Sequence, residues 1–158
     1  MDKIRIQTLI VDRLQADLVI ARDALNASHE AATHAESKAE NKYDTRGLEA
    51  AYLADGQRRR VHEIETALVA YRNLAVRPQE GEPIRVGALV AFDQAGVARR
   101  IFLGPDAAGL RIVDEGQEVL VISPHSSLGQ ALLGRCEGDE VEVLVGSRRQ
   151  LCEVMEIW

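Results

Sequence analysis

The apolar residues of the first part of the chain recur at helical spacing. One run has intervals of 4, 4, 3 and 4 residues, and consists of Ile10, Leu14, Leu18, Ala21 and Leu25. A second has intervals of 3, 4 and 3, and consists of Val61, Ile64, Leu68 and Tyr71. Narrow stripes of this kind are typical of helices that pair as a coiled coil. The pattern therefore predicts two long helices packed against each other.

The segment between the two runs, "HAESKAENKYDTRG" (34–47), contains no Leu, Ile, Val or Phe. The simplest arrangement is an antiparallel helical hairpin over residues 1–77 with its tip near 34–47. A first helix of about 30 residues would be about 45 Å long. Glu36, Glu40 and Asp44 are spaced four residues apart, so a helix would place these three carboxylates on one face. The pattern raises the question of what acids do at the tip of such a hairpin.

Glycine and proline divide the chain into two parts. None of the four Pro and only two of the 12 Gly, Gly47 and Gly56, precede residue 78. A linker at 78–83 follows, and turn residues are dense from 84 to 158. We predict two domains, the helical hairpin over 1–77 and a β-rich domain over 84–158.

Short apolar and alternating segments indicate strands in the second domain. They cover 84–92, 117–123, 141–145 and 151–157. One helix is predicted between them, with Ser123 as its N-cap, Pro124 as its first residue and Gly134 as its stop. This helix would turn an apolar face towards the sheet. The predicted fold class is α+β, a small antiparallel sheet with one helix.

Composition excludes some classes of function. The 158 residues are 46% hydrophobic and 28% charged, which is ordinary for a globular protein. A net charge of -6 argues against nonspecific binding of duplex nucleic acid. No apolar run approaches the roughly 18 residues of a membrane span, and the N-terminus has no signal-like apolar core. We expect no membrane partner, a cytoplasmic location and reduced thiols at Cys136 and Cys152.

The residues of the second domain carry a family resemblance. "SPHSSLGQALLGRCEGDEVEV" (123–143), followed by "CEVMEI" (152–157), resembles the C-terminal domain of the bacterial Gre transcript-cleavage factors. That family has a Ser-Pro, a Leu-hydrophobic-Gly, a Gly-Asp-x-Val and a closing Glu-Val-hydrophobic-x-Ile. "RVGALVAF" (85–92) is similar to its opening strand. The family combines an N-terminal antiparallel coiled coil with an FKBP-like C-terminal domain, so the resemblance implies both.

The resemblance implies a GreA/GreB-like transcription elongation factor that binds bacterial RNA polymerase. In such factors the C-terminal domain docks at the rim of the secondary channel and the coiled coil enters it. The chain would be a monomer with no enzyme activity or bound cofactor of its own, and would contact RNA and DNA only indirectly. The implied partner-binding residues, which match the family motif, are Ser123, Pro124, Leu132, Gly134, Gly138 and Asp139.

The resemblance also implies a role for the tip acids. In the family a Gly-Asp-Leu-x-Glu-Asn tip delivers two carboxylates to the Mg²⁺ of the polymerase, where backtracked RNA is cut. Glu40 and Asn41 match the Glu-Asn pair, but Ser37 stands where the Asp is expected. Glu36 or Asp44 would have to replace it, and a shift of one residue turns a helical side chain by about 100°. Glu40, Glu36 and Asp44 are the candidate metal-directed acids, and the missing Asp favours a regulator that fills the channel without cleavage.

Several alternatives stay open. Asp44 could instead cap the second helix. Arg58, Arg59 and Arg60 could be a solvated helix face, or could contact the polymerase or an RNA phosphate. The chain could also be an FKBP-like peptidyl-prolyl isomerase or chaperone, although the second domain has only Phe92, Phe102 and Trp158 to line an aromatic pocket. A structural coiled-coil adaptor is the third hypothesis, and it predicts a dimer.

Overall fold

A computed structural model describes residues 1–37, 45–77 and 81–158, with 35–37 and Val145 described by their backbone alone. The helical elements are α1 (Lys3–Ser37), α2 (Arg46–Asn73) and α3 (Ser127–Leu132). The strands are β1 (Leu89–Gln94), β2 (Val97–Leu103), β3 (Arg111–Asp114), β4 (Gln117–Ile122), β5 (Glu140–Val145) and β6 (Arg148–Ile157). Two compact units form: Met1–Val11 with Val69–Trp158, the sheet unit, and Asp12–Leu68, the helical unit.

The helical unit consists of two antiparallel segments. Arg22 contacts Glu65 at 2.6 Å, and His29 lies 3.5 Å from Arg58. Residue numbers therefore increase along one helix while those of their contact partners decrease along the other, which means that the helices are antiparallel. The two predicted apolar stripes lie between the segments. The members of these stripes that are buried in this unit are Leu14, Ala21, Val61, Ile64 and Leu68. The predicted helical hairpin is thereby confirmed for the described residues.

The ends of the long helices follow from local chemistry. The carboxylate of Asp2 accepts hydrogen bonds from the backbone N–H groups of Ile4 and Arg5, which satisfies two free donors at the start of α1. The carbonyl of Thr45 accepts the first helical bond of α2, from the N–H of Glu49. Much of the predicted tip, residues 38–44, lies outside the described residues. The same holds for residues 78–80, the first half of the predicted linker. The domain limits at 77 and 84 stay predictions.

The sheet unit contains one six-stranded sheet in the order β3-β4-β2-β1-β6-β5. Neighbouring strands are antiparallel except β2 and β4, which pair in parallel. With one short helix after β4, this confirms the predicted α+β class. Two strands, β2 and β3, are absent from the sequence prediction. The segment predicted as a strand from 84 is regular only from Leu89.

Part of the sheet, namely β1 and the second halves of β2 and β4, is buried on both faces, whereas β3 and β5 alternate between buried and exposed residues. One face packs against α3 in a core that includes Phe92, Ile101, Leu132 and Val154. On the other face, the Tyr71 ring lies 6.2 Å from that of Phe102, and its hydroxyl donates to the carbonyl of Asp106 at 2.9 Å. Burial on both sides explains why several strands read as continuous apolar runs rather than as alternating patterns.

The start of α3 corrects the sequence prediction. The helix begins at Ser127 and its N-cap is Ser126, whose hydroxyl accepts from the N–H of Gly129. Ser123 and Pro124 instead form a turn, in which the N–H of Ser126 donates to the carbonyl of Ser123 at 3.1 Å. Proline suits the second position of such a turn as well as it suits a first helical residue, so the sequence signal fitted both structures. Gly134 lies beyond the helix end, after the C-cap residue Leu133.

Candidate docking segment and hairpin site

The six predicted partner-binding residues all lie in the connection from β4 through α3 to β5. Ser123 and Pro124 are half-buried in the turn before α3. The hydroxyl of Ser123 accepts from the N–H of His125 at 3.1 Å, which fixes the turn. His125 itself is exposed. The turn therefore presents a rigid, partly polar corner at one end of α3.

The other four residues of this set are mainly architectural. Leu132 has 0% exposure, so it supports the segment from inside the core and does not contact a partner directly. Gly134 and Gly138 have φ of +78° and +83°, a region that L side chains rarely adopt. Their N–H groups donate to the carbonyls of Ile84 and Val154. The Asp139 carboxylate accepts from the N–H of Cys136 at 2.9 Å, which closes the turn before β5.

The three arginines of the predicted basic run form exposed ion pairs with carboxylates. Arg58 lies 3.1 Å and Arg59 3.8 Å from Asp55, and Arg60 lies 3.6 Å from Glu63. Exposed pairs of this kind contribute about 0–1 kcal/mol. A phosphate or carboxylate of a partner could therefore displace them at little cost. The contact between Arg58 and His29 requires that the imidazole nitrogen accept, because a guanidinium only donates.

Of the three predicted tip acids, the structure describes only the backbone of Glu36. Glu36 lies in the last turn of α1, and its side chain is not described. Glu40 and Asp44 lie outside the described residues. Within the described parts of the chain, no group of three His, Cys, Asp or Glu side chains could hold a metal ion. The assignment of Glu36, Glu40 and Asp44 to Mg²⁺ stays a prediction.

Sequence reasoning missed a cavity beside α3. It has a volume of about 340 Å³, and its floor is Phe92, Ile101, Leu120 and Leu128. Arg99 of β2 lies at its edge. The signal in the sequence was "VARRIFL", where exposed polar positions change to a buried apolar run within one strand. Because apolar and polar residues do not alternate regularly along β2, the sequence pattern does not predict it as a strand.

The aromatic residues bear on the isomerase hypothesis. Phe92 is the one aromatic side chain that lines this cavity. Phe102 is fully buried and contacts Tyr71 on the opposite face of the sheet. Among the described residues, the aromatic lining that the isomerase hypothesis requires is therefore not assembled at this cavity.

The two cysteines differ in environment. Cys136 is exposed and Cys152 is buried. Burial raises the pKa of the Cys152 thiol, with a smaller contribution from Asp93 that Arg99 opposes. A thiol with a raised pKa is a weak nucleophile, so Cys152 acts as a packing residue. No helix in the described parts of the chain is long and apolar enough to cross a membrane.

Comparison with known proteins gave matches among solved structures alone. No protein-family model matches the chain. No curated protein matches it. The chain is similar to GreA factor homolog 1 (Gfh1) of Thermus thermophilus, with 21% identity over 94% of both chains and a TM-score of 0.39. It is also similar to Thermus aquaticus Gfh1, with 19% identity over 92% of both chains and a TM-score of 0.39.

A further similar structure is the transcription elongation factor GreA/GreB of Nitrosomonas europaea. Its identity is 20%, over 82% of this chain and 92% of that one, and the TM-score is 0.33. Because the identities are near 20% and the TM-scores lie below 0.5, we draw the functional conclusion from the residues of this chain.

Proposed function

We propose that the chain is a Gre-like factor that binds bacterial RNA polymerase at the secondary channel and modulates elongation. One observation carries the proposal. The residues that match the Gre motif lie within 123–157, a continuous segment that follows β4 and contains α3, β5 and β6, and two antiparallel helices precede that segment in the chain. Motif and architecture thus occur in the same order. The factor has no catalytic centre of its own, and it works in the cytoplasm as a monomer.

The two parts of the chain have separate roles in this proposal. The corner at Ser123 and Pro124 contacts the polymerase, while Leu132, Gly134, Gly138 and Asp139 stabilise the rest of the connection from α3 to β5. The hairpin carries Glu36, Glu40 and Asp44 towards the polymerase's Mg²⁺, and Arg58, Arg59 and Arg60 contact polymerase or RNA phosphates. Since Ser37 stands where the family has its Asp, we propose a regulator that fills the channel rather than one that stimulates cleavage.

Polymerase binding is tested by gel filtration of the purified chain with bacterial polymerase core. We expect co-elution, and we expect Pro124→Ala to weaken it because the corner loses its fixed turn. Pro105→Ala is the matched control, since Pro105 is exposed in the turn after β2 and lies outside the motif. Absence of co-elution by the wild type would remove the proposal. Sedimentation of the free chain as a stable dimer would favour the adaptor hypothesis instead.

The role of the tip is tested on stalled, backtracked elongation complexes. We expect a change in elongation that depends on binding, with little RNA cleavage. The variants are Glu36→Ala, Glu40→Ala and Asp44→Ala, and Glu30→Ala is the control because Glu30 is an exposed acid two turns earlier in α1. Strong cleavage that Glu40→Ala abolishes would contradict the non-cleaving assignment and support the tip acids. Cleavage that survives all three substitutions would remove the tip assignment.

A further inference from the structure

The short helix α3 leaves part of the sheet uncovered. With six residues it spans about 9 Å, and the strand ends beyond it enclose the cavity of about 340 Å³ described above. That volume lies within the range of about 300–1,000 Å³ for small-molecule sites. The floor is continuous with the domain core, since Phe92 is 1% and Ile101 2% exposed. The apolar side chains of the floor that a ligand would contact directly are those of Leu120 and Leu128, which are half-buried.

The edge of the cavity carries two arginines whose side chains have no partner. Within the part of the chain that the structure describes, the side chains of Arg99 and Arg100, which both line the cavity, form no ion pair and no hydrogen bond. Arg111, which also lines the cavity, is by contrast paired with Glu118. Arg99 also lines an adjoining hollow of about 640 Å³ that opens to solvent. The unpaired guanidinium of Arg99 is therefore accessible and lies next to an apolar floor.

A polar group adjoins Arg99. The side-chain N–H of Gln94 donates to the side-chain oxygen of Gln150 at 2.6 Å, and Gln94 lines both the cavity and the hollow. This bond restrains the Gln94 amide beside the cavity and leaves its oxygen free to accept a hydrogen bond. The site thus combines a small apolar floor, one fixed amide and two unpaired arginines, of which Arg99 is exposed and Arg100 half-buried.

We propose that this cavity binds a small organic anion with an apolar body and a single carboxylate. The body would lie on Leu120 and Leu128, above the buried Phe92 and Ile101, and the carboxylate would accept paired hydrogen bonds from the guanidinium of Arg99. Arginine binds carboxylates in this two-pronged manner. The proposal does not depend on polymerase binding, and it concerns a site outside the motif segment apart from Leu128.

The test is a titration of the isotopically labelled full chain with small ligands, in which binding is monitored by the shifts of the backbone amide signals in the NMR spectrum. The probe is 4-phenylbutyrate. Its uncharged analogue is 4-phenylbutanol, and acetate supplies the carboxylate without the apolar body. We expect saturable shifts at Phe92, Ile101 and Leu128 with phenylbutyrate. The alcohol should bind about tenfold more weakly, because a hydrogen bond to a charged group is lost, and acetate should not saturate.

Two variants locate the carboxylate. Arg99→Gln should weaken phenylbutyrate binding about tenfold. Arg148→Gln is the control, since Arg148 is an exposed arginine of β6 that lines neither space, and it should bind as the wild type does. The same spectra show whether each variant is folded. Absence of saturable shifts at millimolar phenylbutyrate, or equal weakening by both variants, would overturn the proposal. Tighter binding of an acidic peptide at these residues would replace it with a protein partner.

Discussion

The two compact units are stabilised by different kinds of contact. All eleven of the largest fully buried side chains lie in the sheet unit, among them Tyr71, Phe92 and Phe102. The helical unit buries smaller or less completely enclosed residues, such as Ala21, Ala54 and Val61. Its cross-helix pair, Arg22 with Glu65, is exposed on both sides. The sheet unit therefore depends on close packing, and the helical unit on a narrow apolar stripe and helix propensity.

This difference determines how each unit tolerates substitution. In a close-packed interior an added methyl group has no room, and the surroundings must shift. On an open helix surface the same group only changes backbone propensity. The helical unit can thus vary its exposed residues with little loss of fold stability, whereas the connection around α3 cannot.

The same substitution at two glycines should have the largest and opposite effects. A Cβ at Gly129 would lie 2.1 Å from the carbonyl oxygen of Ser123 and 3.0 Å from the Cα of Pro124, both backbone atoms. We expect Gly129→Ala to lower the free energy of unfolding by about 3 kcal/mol. A Cβ at Gly56 would meet nothing within 4 Å. Gly56→Ala should raise the free energy of unfolding by about 1 kcal/mol, because alanine favours the helix.

Urea unfolding followed by circular dichroism measures both variants. Gly129→Ala should also weaken polymerase binding, since the corner at Ser123 and Pro124 would move. Equal and small effects at the two glycines would contradict the contrast between the units. A stabilised Gly129→Ala would show that the turn before α3 can move away from the helix.

Ion pairs provide the next comparison. Arg5 lies 2.8 Å from Asp114, whose side chain is 6% exposed, whereas both members of the Arg22–Glu65 pair are more than 40% exposed. Arg5→Ala leaves a buried carboxylate without its cation and should cost about 2 kcal/mol of unfolding free energy. Arg22→Ala should cost less than about 0.5 kcal/mol. Thermal unfolding at low and high salt measures both losses of stability. Similar losses in the two variants would contradict the difference between the buried and the exposed ion pair.

The sequence predicted the helical unit better than the sheet unit, for a physical reason. A two-helix contact requires one narrow stripe, and residues such as Ile64 and Leu68 repeat at intervals that helix geometry alone explains. In the sheet, β2 changes from an exposed first half to a buried second half. Its apolar residues, Ile101 to Leu103, face both covered sides of the sheet and show no alternation.

The candidate sites also differ in how far the sequence alone predicted them. The motif segment was recognisable, but its residues have roles that only packing assigns: Leu132 is internal, and Ser126 rather than Ser123 caps α3. The cavity beside Arg99 could not be predicted, because four strands and α3 bring its residues together from distant positions. The tip acids were predicted from spacing and resemblance alone, and they stay predictions.

Tyr71 gives a smaller effect that depends on pH. Burial raises the pKa of its phenol strongly, with a lesser contribution from Asp106. The folded state therefore holds this proton more tightly than the unfolded chain, whose tyrosine has a pKa of about 10. The stability from this group is complete below pH 10 and is lost as the pH rises above 10. Tyr71→Phe should cost about 1 kcal/mol at neutral pH, because the bond to the Asp106 carbonyl is lost.

Urea unfolding at neutral pH and at several values above 10 tests this prediction. The free energy of unfolding should fall less steeply with alkaline pH in Tyr71→Phe than in the wild type. Tyr52→Phe, which removes an exposed phenol of the helical unit, is the matched substitution. Identical alkaline slopes for the wild type and Tyr71→Phe would contradict the assignment.

The smallest effect concerns a strained turn in the sheet unit. Ala95 has a φ of +54° and Gly96 a φ of +80° in the two-residue turn between β1 and β2, where a positive φ at both positions matches the strand twist. Alanine adopts this conformation at a cost, and asparagine tolerates it better. Ala95→Asn should therefore raise the free energy of unfolding by about 0.5 kcal/mol. Ala98→Asn, at an exposed position of β2, is the control and should not stabilise. Differential scanning calorimetry distinguishes the two, and a gain at both positions would mean that a polar side chain, rather than relief of backbone strain, stabilises this hairpin.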